Sequence, residues 1–147
     1  MLLIIVLTAS GCLSKNDIPK DQAPPRAAFE RTDPKAVGEA FVRAQANNDR
    51  NTMHQLMTPE LKQSFYEKKL YLFDSEDLKD KKVILNNISI KEERKDDNSA
   101  LYNIDYELNL KENNLNNTRE IMDLVFVTKD KKSGKWFVST YQHVLLQ

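Results

Sequence analysis

Three side chains near the C-terminal end of the chain carry groups that could do acid-base chemistry. Asp123 interrupts an otherwise apolar run between Ile121 and Val127, and Tyr141 and His143 follow further on. A carboxyl or imidazole group held in an apolar cavity has a shifted pKa, which suits it to act as a general base or acid. Asp105 is a further candidate of the same kind. These residues are the candidates for a catalytic role in an isomerase-like or hydrolase-like reaction.

The alternation of polar and apolar residues favours a structural role for the same side chains. One face of the third predicted strand carries the apolar residues Met122, Leu124 and Phe126. If these face the core, Asp123 points outward. His143 has the opposite parity to Trp136 and Val138, and a histidine near the end of a last strand is more often a surface residue or a hydrogen-bonded structural residue than a base. On this pattern the sequence predicts no catalytic set.

Other kinds of site are not indicated by the composition. The two histidines, His54 and His143, are far apart in sequence and Cys12 is the only cysteine, so no metal-ligand spacing is present. None of the three glycines lies in a phosphate-binding loop. Basic and acidic residues balance at 22 each, which removes the basic excess typical of nucleic-acid binders. We expect no metal, no cofactor and no nucleic-acid partner.

The N-terminal residues predict where the chain resides. An apolar run from Leu2 to Leu7 leads through small residues to Cys12. The run is too short to cross a membrane, which takes about 20 residues, and is typical of a signal peptide. Leu7-Thr8-Ala9-Ser10-Gly11-Cys12 resembles the lipobox of bacterial lipoproteins. The resemblance implies that residues 1–11 are removed and that Cys12 carries acyl chains such as palmitate, on the extracytoplasmic face of the cell membrane. Cleaved secretion and an uncleaved short anchor are the alternatives.

The rest of the chain predicts a tether and one α+β domain. Residues 12–32 contain prolines and mixed charges without an apolar period, which is typical of a tether. In residues 33–147, Asp33, either Asp49 or Asn51, and Thr58 are candidate caps of three helices. A period of two then predicts four strands at residues 83–90, 100–110, about 119–129 and 136–146. The expected architecture is helices packed on one face of a curved, four-stranded antiparallel sheet.

The order of these elements carries a second resemblance. The runs Ala36–Phe41, Ala44–Asp49 and Met53–Leu61 resemble the helical half of nuclear-transport-factor-2-like domains, and Gly134-Lys135-Trp136-Phe137-Val138 is similar to their final strand. The resemblance implies a cone-like fold with a cavity between helices and sheet. Some members are enzymes of the ketosteroid isomerase-like or dehydratase-like kind, whereas others bind partners or assemble through the exposed sheet face.

The leading hypothesis is a non-catalytic, membrane-tethered module. Its folded domain would contact another envelope protein or a small apolar ligand, as an accessory to an envelope, secretion or conjugation complex. One alternative is a small cavity enzyme that uses Asp123 or His143. Another is a self-assembling structural envelope protein, with a homodimer formed through the face of the sheet.

Overall fold

Three short helices form the N-terminal half of the domain. The computed structural model describes residues 31–72, 82–112 and 115–145. The predicted signal peptide, Cys12 and the predicted tether up to residue 30 therefore lie outside the described residues. The helices are α1 (Pro34–Ala46), α2 (Arg50–Leu56) and α3 (Pro59–Lys68). Their predicted caps are confirmed, because the side chains of Asp33, Asp49 and Thr58 accept hydrogen bonds from backbone N–H groups of the first turns. In the described part of the chain, no helix is both long enough and apolar enough to cross a membrane.

Helices α1 and α3 end where the backbone turns left-handed. Asn48 has a φ of 52° after α1, and Lys69 has a φ of 51° after α3. Leu70 and Leu72 therefore lie beyond the end of α3. The segment 69–72 then lies across a cleft from the sheet residues Leu108 and Ile121.

Four antiparallel strands follow in the order in which they occur in the sequence. They are β1 (Lys82–Lys95), β2 (Ser99–Glu112), β3 (Leu115–Lys129) and β4 (Trp136–Leu145). This arrangement confirms the predicted α+β class and meander. The strands extend beyond their predicted ends, because β1 continues to pair with β2 as far as Lys95 and β3 already pairs with β2 at Leu115. The β3–β4 turn contains Gly134 with a φ of 69°, as predicted.

The core lies between the helices and one face of the sheet. The helices contribute a set of fully buried apolar side chains, among them Val37, Phe41, Met53 and Phe65. The opposing sheet face contributes Tyr102, Ile104, Leu108, Ile121, Val125 and Val138. Helix α1 contacts all four strands, so its apolar stripe organises the packing of the whole sheet.

The sequence-based parity of β3 is wrong. Ile121, Asp123, Val125 and Val127 face the core and are each no more than 1% exposed, whereas Met122, Leu124 and Phe126 are half-buried on the outer face. Both parities of the strand are apolar, so alternation alone could not choose between them. Pairing with β2 makes the choice, because Asp123 lies opposite Ile104 and therefore shares the core face of that strand.

A β-bulge in β4 makes the predicted orientation of His143 wrong as well. Val127 pairs with Val138 but Phe126 pairs with Thr140, so Ser139 is an extra residue whose hydroxyl donates to the Phe126 carbonyl at 3.3 Å. The extra residue reverses the alternation along the strand. As a result, Tyr141 and His143 face the same side as Trp136 and Val138.

Candidate functional site

A buried carboxylate is the centre of the candidate site. Asp123 is 0% exposed, and three donors converge on it. The Tyr106 hydroxyl donates to Oδ2 at 2.7 Å, the Tyr141 hydroxyl donates to Oδ1 at 3.2 Å, and Nδ1 of His143 lies 2.7 Å from Oδ1. A buried carboxylate is tolerated when its oxygen atoms are hydrogen-bonded, and this constellation meets that need. We call Tyr106, Asp123, Tyr141 and His143 the Asp123 network.

The carboxylate orients the imidazole of His143. An ionised carboxylate only accepts hydrogen bonds, so Nδ1 carries the proton and Nε2 keeps its lone pair in the neutral ring. The His143 side chain is 22% exposed, whereas that of Asp123 is fully buried. Because Nδ1 is used on the buried side, Nε2 is the ring nitrogen that remains for a molecule outside. The same division of roles lets a histidine act as a hydrogen-bond acceptor or as a general base.

Aromatic packing positions Tyr141 behind the carboxylate. Its ring packs against Phe41 and Phe65, with centroid separations of 5.2 and 5.7 Å. The side-chain amide of Gln45 donates to the Tyr141 oxygen at 3.2 Å, so the tyrosine hydroxyl is left to donate to Asp123. Helix α1 supplies both Phe41 and Gln45, and thus it sets the geometry of the Asp123 network.

A cleft of about 300 Å³ opens beside His143. One side is the segment 69–72 that follows α3, and the other is the sheet. Its apolar walls are Leu70, Leu72, Leu108 and Ile121, and Tyr71, Lys69 and Arg119 complete the lining with His143. We call this space the His143 cleft. Its volume lies at the lower end of the range found for small-molecule sites, and its lining has the usual mixture of apolar walls and a few polar groups.

Three of the residues singled out in the sequence come together here. Asp123, His143 and Tyr141 all belong to the Asp123 network, although parity had placed Asp123 outward and His143 on the face opposite Trp136 and Val138. Asp105 does not join them, because it pairs with Met122 on the outer face of the sheet.

Sequence reasoning missed Tyr106, Gln45 and Arg119. For Tyr106 a signal was present, since a tyrosine in the middle of an apolar strand face needs a partner for its hydroxyl. Asp123 in the next strand could have been recognised as that partner. Gln45 and Arg119 carried no such signal, because a glutamine on a helix and an arginine near a turn are usually exposed.

A second, larger groove of about 570 Å³ lies between the start of α3 and the β3–β4 turn. His54 lines it, but both ring nitrogens of His54 are already in contact with tyrosine hydroxyls, Nε2 with Tyr71 at 2.7 Å and Nδ1 with Tyr66 at 3.1 Å. Burial, assisted by Lys62 and Arg50, lowers the pKa of His54. His54 is thus a half-buried residue whose two ring nitrogens both have partners.

Metal binding finds no support in the described parts of the chain. There, no three histidine, cysteine, aspartate or glutamate side chains converge to form a ligand set.

Because Tyr102, Tyr106 and Tyr141 are buried in part or in full, we expect the domain to lose stability at alkaline pH. Burial, reinforced by Glu92, raises the pKa of Tyr102 to about 12. Burial and then the charge of Asp123 raise the pKa values of Tyr106 and Tyr141 as well. An unfolded tyrosine ionises near pH 10, so above that pH the unfolded chain has lost protons that the folded chain retains. The stabilising contribution is therefore complete below about pH 10 and is lost as the pH rises towards 12.

Urea unfolding at about pH 8 and about pH 11 tests this sign. We expect a lower midpoint at the higher pH and a smaller decrease in Tyr102→Phe, which removes one of the titrating groups. A midpoint that does not change between the two pH values would contradict the prediction.

The comparisons with protein-family models and with curated proteins assign no family to this chain. What the site can do rests on three features of its own residues: a buried carboxylate, an imidazole that it orients, and an apolar cleft. No protein-family model matches the chain, and no curated protein matches it.

Proposed function

We propose that the chain is a membrane-anchored, extracytoplasmic binding module whose ligand is a small, largely apolar molecule held in the His143 cleft. One observation carries the proposal: a cleft with leucine and isoleucine walls ends on a histidine that a buried aspartate holds in place. The anchor rests on the resemblance of residues 7–12 to a lipobox and on the proline-containing segment that follows.

Apolar walls and one oriented polar group are the features that a binding site requires. Burial of a ligand's apolar body against Leu70, Leu72 and Leu108 would supply most of the affinity, at about 25 cal/mol per Å². His143 would supply orientation, because Asp123 prevents the ring from turning away. Among the described residues that line the cleft, none is a serine, threonine or cysteine that His143 could activate as a nucleophile.

A general-base enzyme is the second candidate, and the Asp123–His143 pair favours it. A histidine whose Nδ1 proton is held by a carboxylate can remove a proton from a bound molecule through Nε2. Such a reaction would be of the isomerase or hydrolase kind and would use the same cleft.

Cell fractionation tests the anchor. We expect the wild-type protein to sediment with membranes and Cys12→Ser to be soluble, because the acyl chains would then be missing. Ser14→Ala, which lies just beyond the cysteine, is the matched control and should sediment like the wild type. A free thiol at Cys12 in the protein from the native host would contradict the anchor.

Small molecules that co-purify with the protein test the cleft. Wild type, Leu72→Trp and Leu101→Trp would be purified from the native host and their extracts compared by mass spectrometry. The half-buried Leu72 lines the cleft, so tryptophan there should fill it, whereas tryptophan at the half-buried Leu101 enlarges a side chain on the outer face. We expect one compound to be absent only from Leu72→Trp. Identical extracts from all three folded proteins would contradict the binding function.

The same compound separates binding from catalysis. Incubation with fresh wild-type protein should leave it unchanged if the domain only binds it. Conversion by the wild type but not by His143→Gln would instead establish the enzyme.

A further inference from the structure

We infer that the His143 cleft selects a small amphiphile with a carboxylate head, of the short-chain fatty acid type. The inference rests on the proposed binding function and specifies its ligand. It follows from the charges around the cleft, which are separate from the apolar walls that support binding itself.

In the described lining of the cleft, every ionisable side chain apart from Tyr71 is a base. The basic residues are Lys69, Arg119 and His143, and within the described lining there is no aspartate or glutamate. The carboxylate that contacts His143, Asp123, is fully buried behind it and already accepts from three donors. Although the whole chain has no net charge, the described lining of this opening is therefore basic.

The sheet itself places Arg119 at the cleft. Arg119 lies opposite Leu108 and has the parity of Ile121 and Asp123, so it lies on the core face of β3, near the β2–β3 turn. The side chain is exposed, and within the described residues it forms no salt bridge or hydrogen bond. A guanidinium on the inner face of a sheet that has no acidic partner there is suited to bind a planar carboxylate through two N–H groups.

Lys69 supplies a second cation from the opposite wall. Its left-handed backbone ends α3 and directs the chain into the segment 69–72, which forms that wall. Like Arg119, Lys69 has no salt-bridge partner in the described parts of the chain. The cleft is thus apolar along its walls and cationic on both sides of its opening, which matches an acyl chain that ends in a carboxylate.

Three probes that share one apolar body test the head group. Hexanoate, 1-hexanol and hexylamine would be titrated into the full-length chain with Cys12→Ser, so that no acyl chain competes for the cleft. The leucine and isoleucine methyl resonances of the cleft walls would report binding by NMR. We expect hexanoate to bind about tenfold or more tightly than hexanol and hexylamine to bind most weakly.

Two arginine variants locate the source of the preference. Arg119→Gln should weaken hexanoate binding about tenfold and leave hexanol binding unchanged. Arg94→Gln is the matched control, because Arg94 lies on β1 with its guanidinium 5.8 Å from the Phe126 ring, on the outer face. It should leave both probes unaffected.

The outcomes distinguish this inference from the function on which it rests. Equal binding of hexanoate and hexanol, or an unchanged hexanoate affinity in Arg119→Gln, would overturn the carboxylate head but leave a binding cleft. If none of the three probes shifts the cleft methyl groups, both the inference and the proposed binding function fail.

Discussion

Replacing Asp123 with alanine is expected to destabilise the domain by about 3 to 5 kcal/mol. The change removes the common acceptor of Tyr106, Tyr141 and His143. The Tyr106 hydroxyl would then be buried without a partner, and the Tyr141 hydroxyl would keep only the hydrogen bond that it accepts from Gln45. Each buried donor left without an acceptor costs about 1 to 3 kcal/mol. Since small domains are stable by only about 5 to 15 kcal/mol in total, the midpoint of urea unfolding should fall markedly.

Asp105→Ala is the matched control for this experiment. Asp105 is an aspartate of the neighbouring strand that pairs with Met122 and is half-buried on the outer face of the sheet. We expect it to change the free energy of unfolding by less than about 1 kcal/mol. If the two variants were equally stable, Asp123 would not be the centre of a buried network.

Replacing Trp136 with alanine is expected to cost about 3 to 5 kcal/mol. Trp136 is only 5% exposed, and its backbone N–H donates to the Arg31 carbonyl at 2.9 Å. Truncation would leave a large cavity at the start of β4, next to Arg31. Thermal unfolding followed by circular dichroism would show the loss as a lower Tm.

Phe137→Ala separates the loss of core packing from the loss of any aromatic ring. Phe137 is the next residue along β4, is half-buried and contacts the Arg31 guanidinium, 4.7 Å from its ring centre. Its removal should lower the Tm clearly less than removal of Trp136. A larger effect at Phe137 would mean that the core lies on the other face of the strand.

Local signals predicted the elements of this fold well. The caps at Asp33, Asp49 and Thr58 begin the three helices because an oxygen of each side chain accepts from a backbone N–H group in the next turn, an interaction within a few residues. Along β2, apolar residues alternate with polar residues, so only one face of the strand is apolar. This alternation likewise indicates which face packs on the core.

The candidate site was predicted in its residues but not in its geometry. Asp123 and His143 stood out by type, yet the outward position of Asp123 was wrong because both parities of β3 are apolar. Their meeting depends on the pairing of β3 with β2 and on the bulge at Ser139, and both are contacts between segments distant in sequence. The contribution of Gln45 from α1 depends on such a contact as well.

The sequence by itself determined the class of the fold, the order of its elements and the expectation of a lipid anchor, because each depends on composition, caps or short periodic patterns. Only the tertiary structure decided which face of β3 is buried, and with it that Asp123 holds His143 beside an apolar cleft with a cationic opening. The physical reason is that strand register and a single extra residue reverse every side chain along a strand, and neither leaves a local signal.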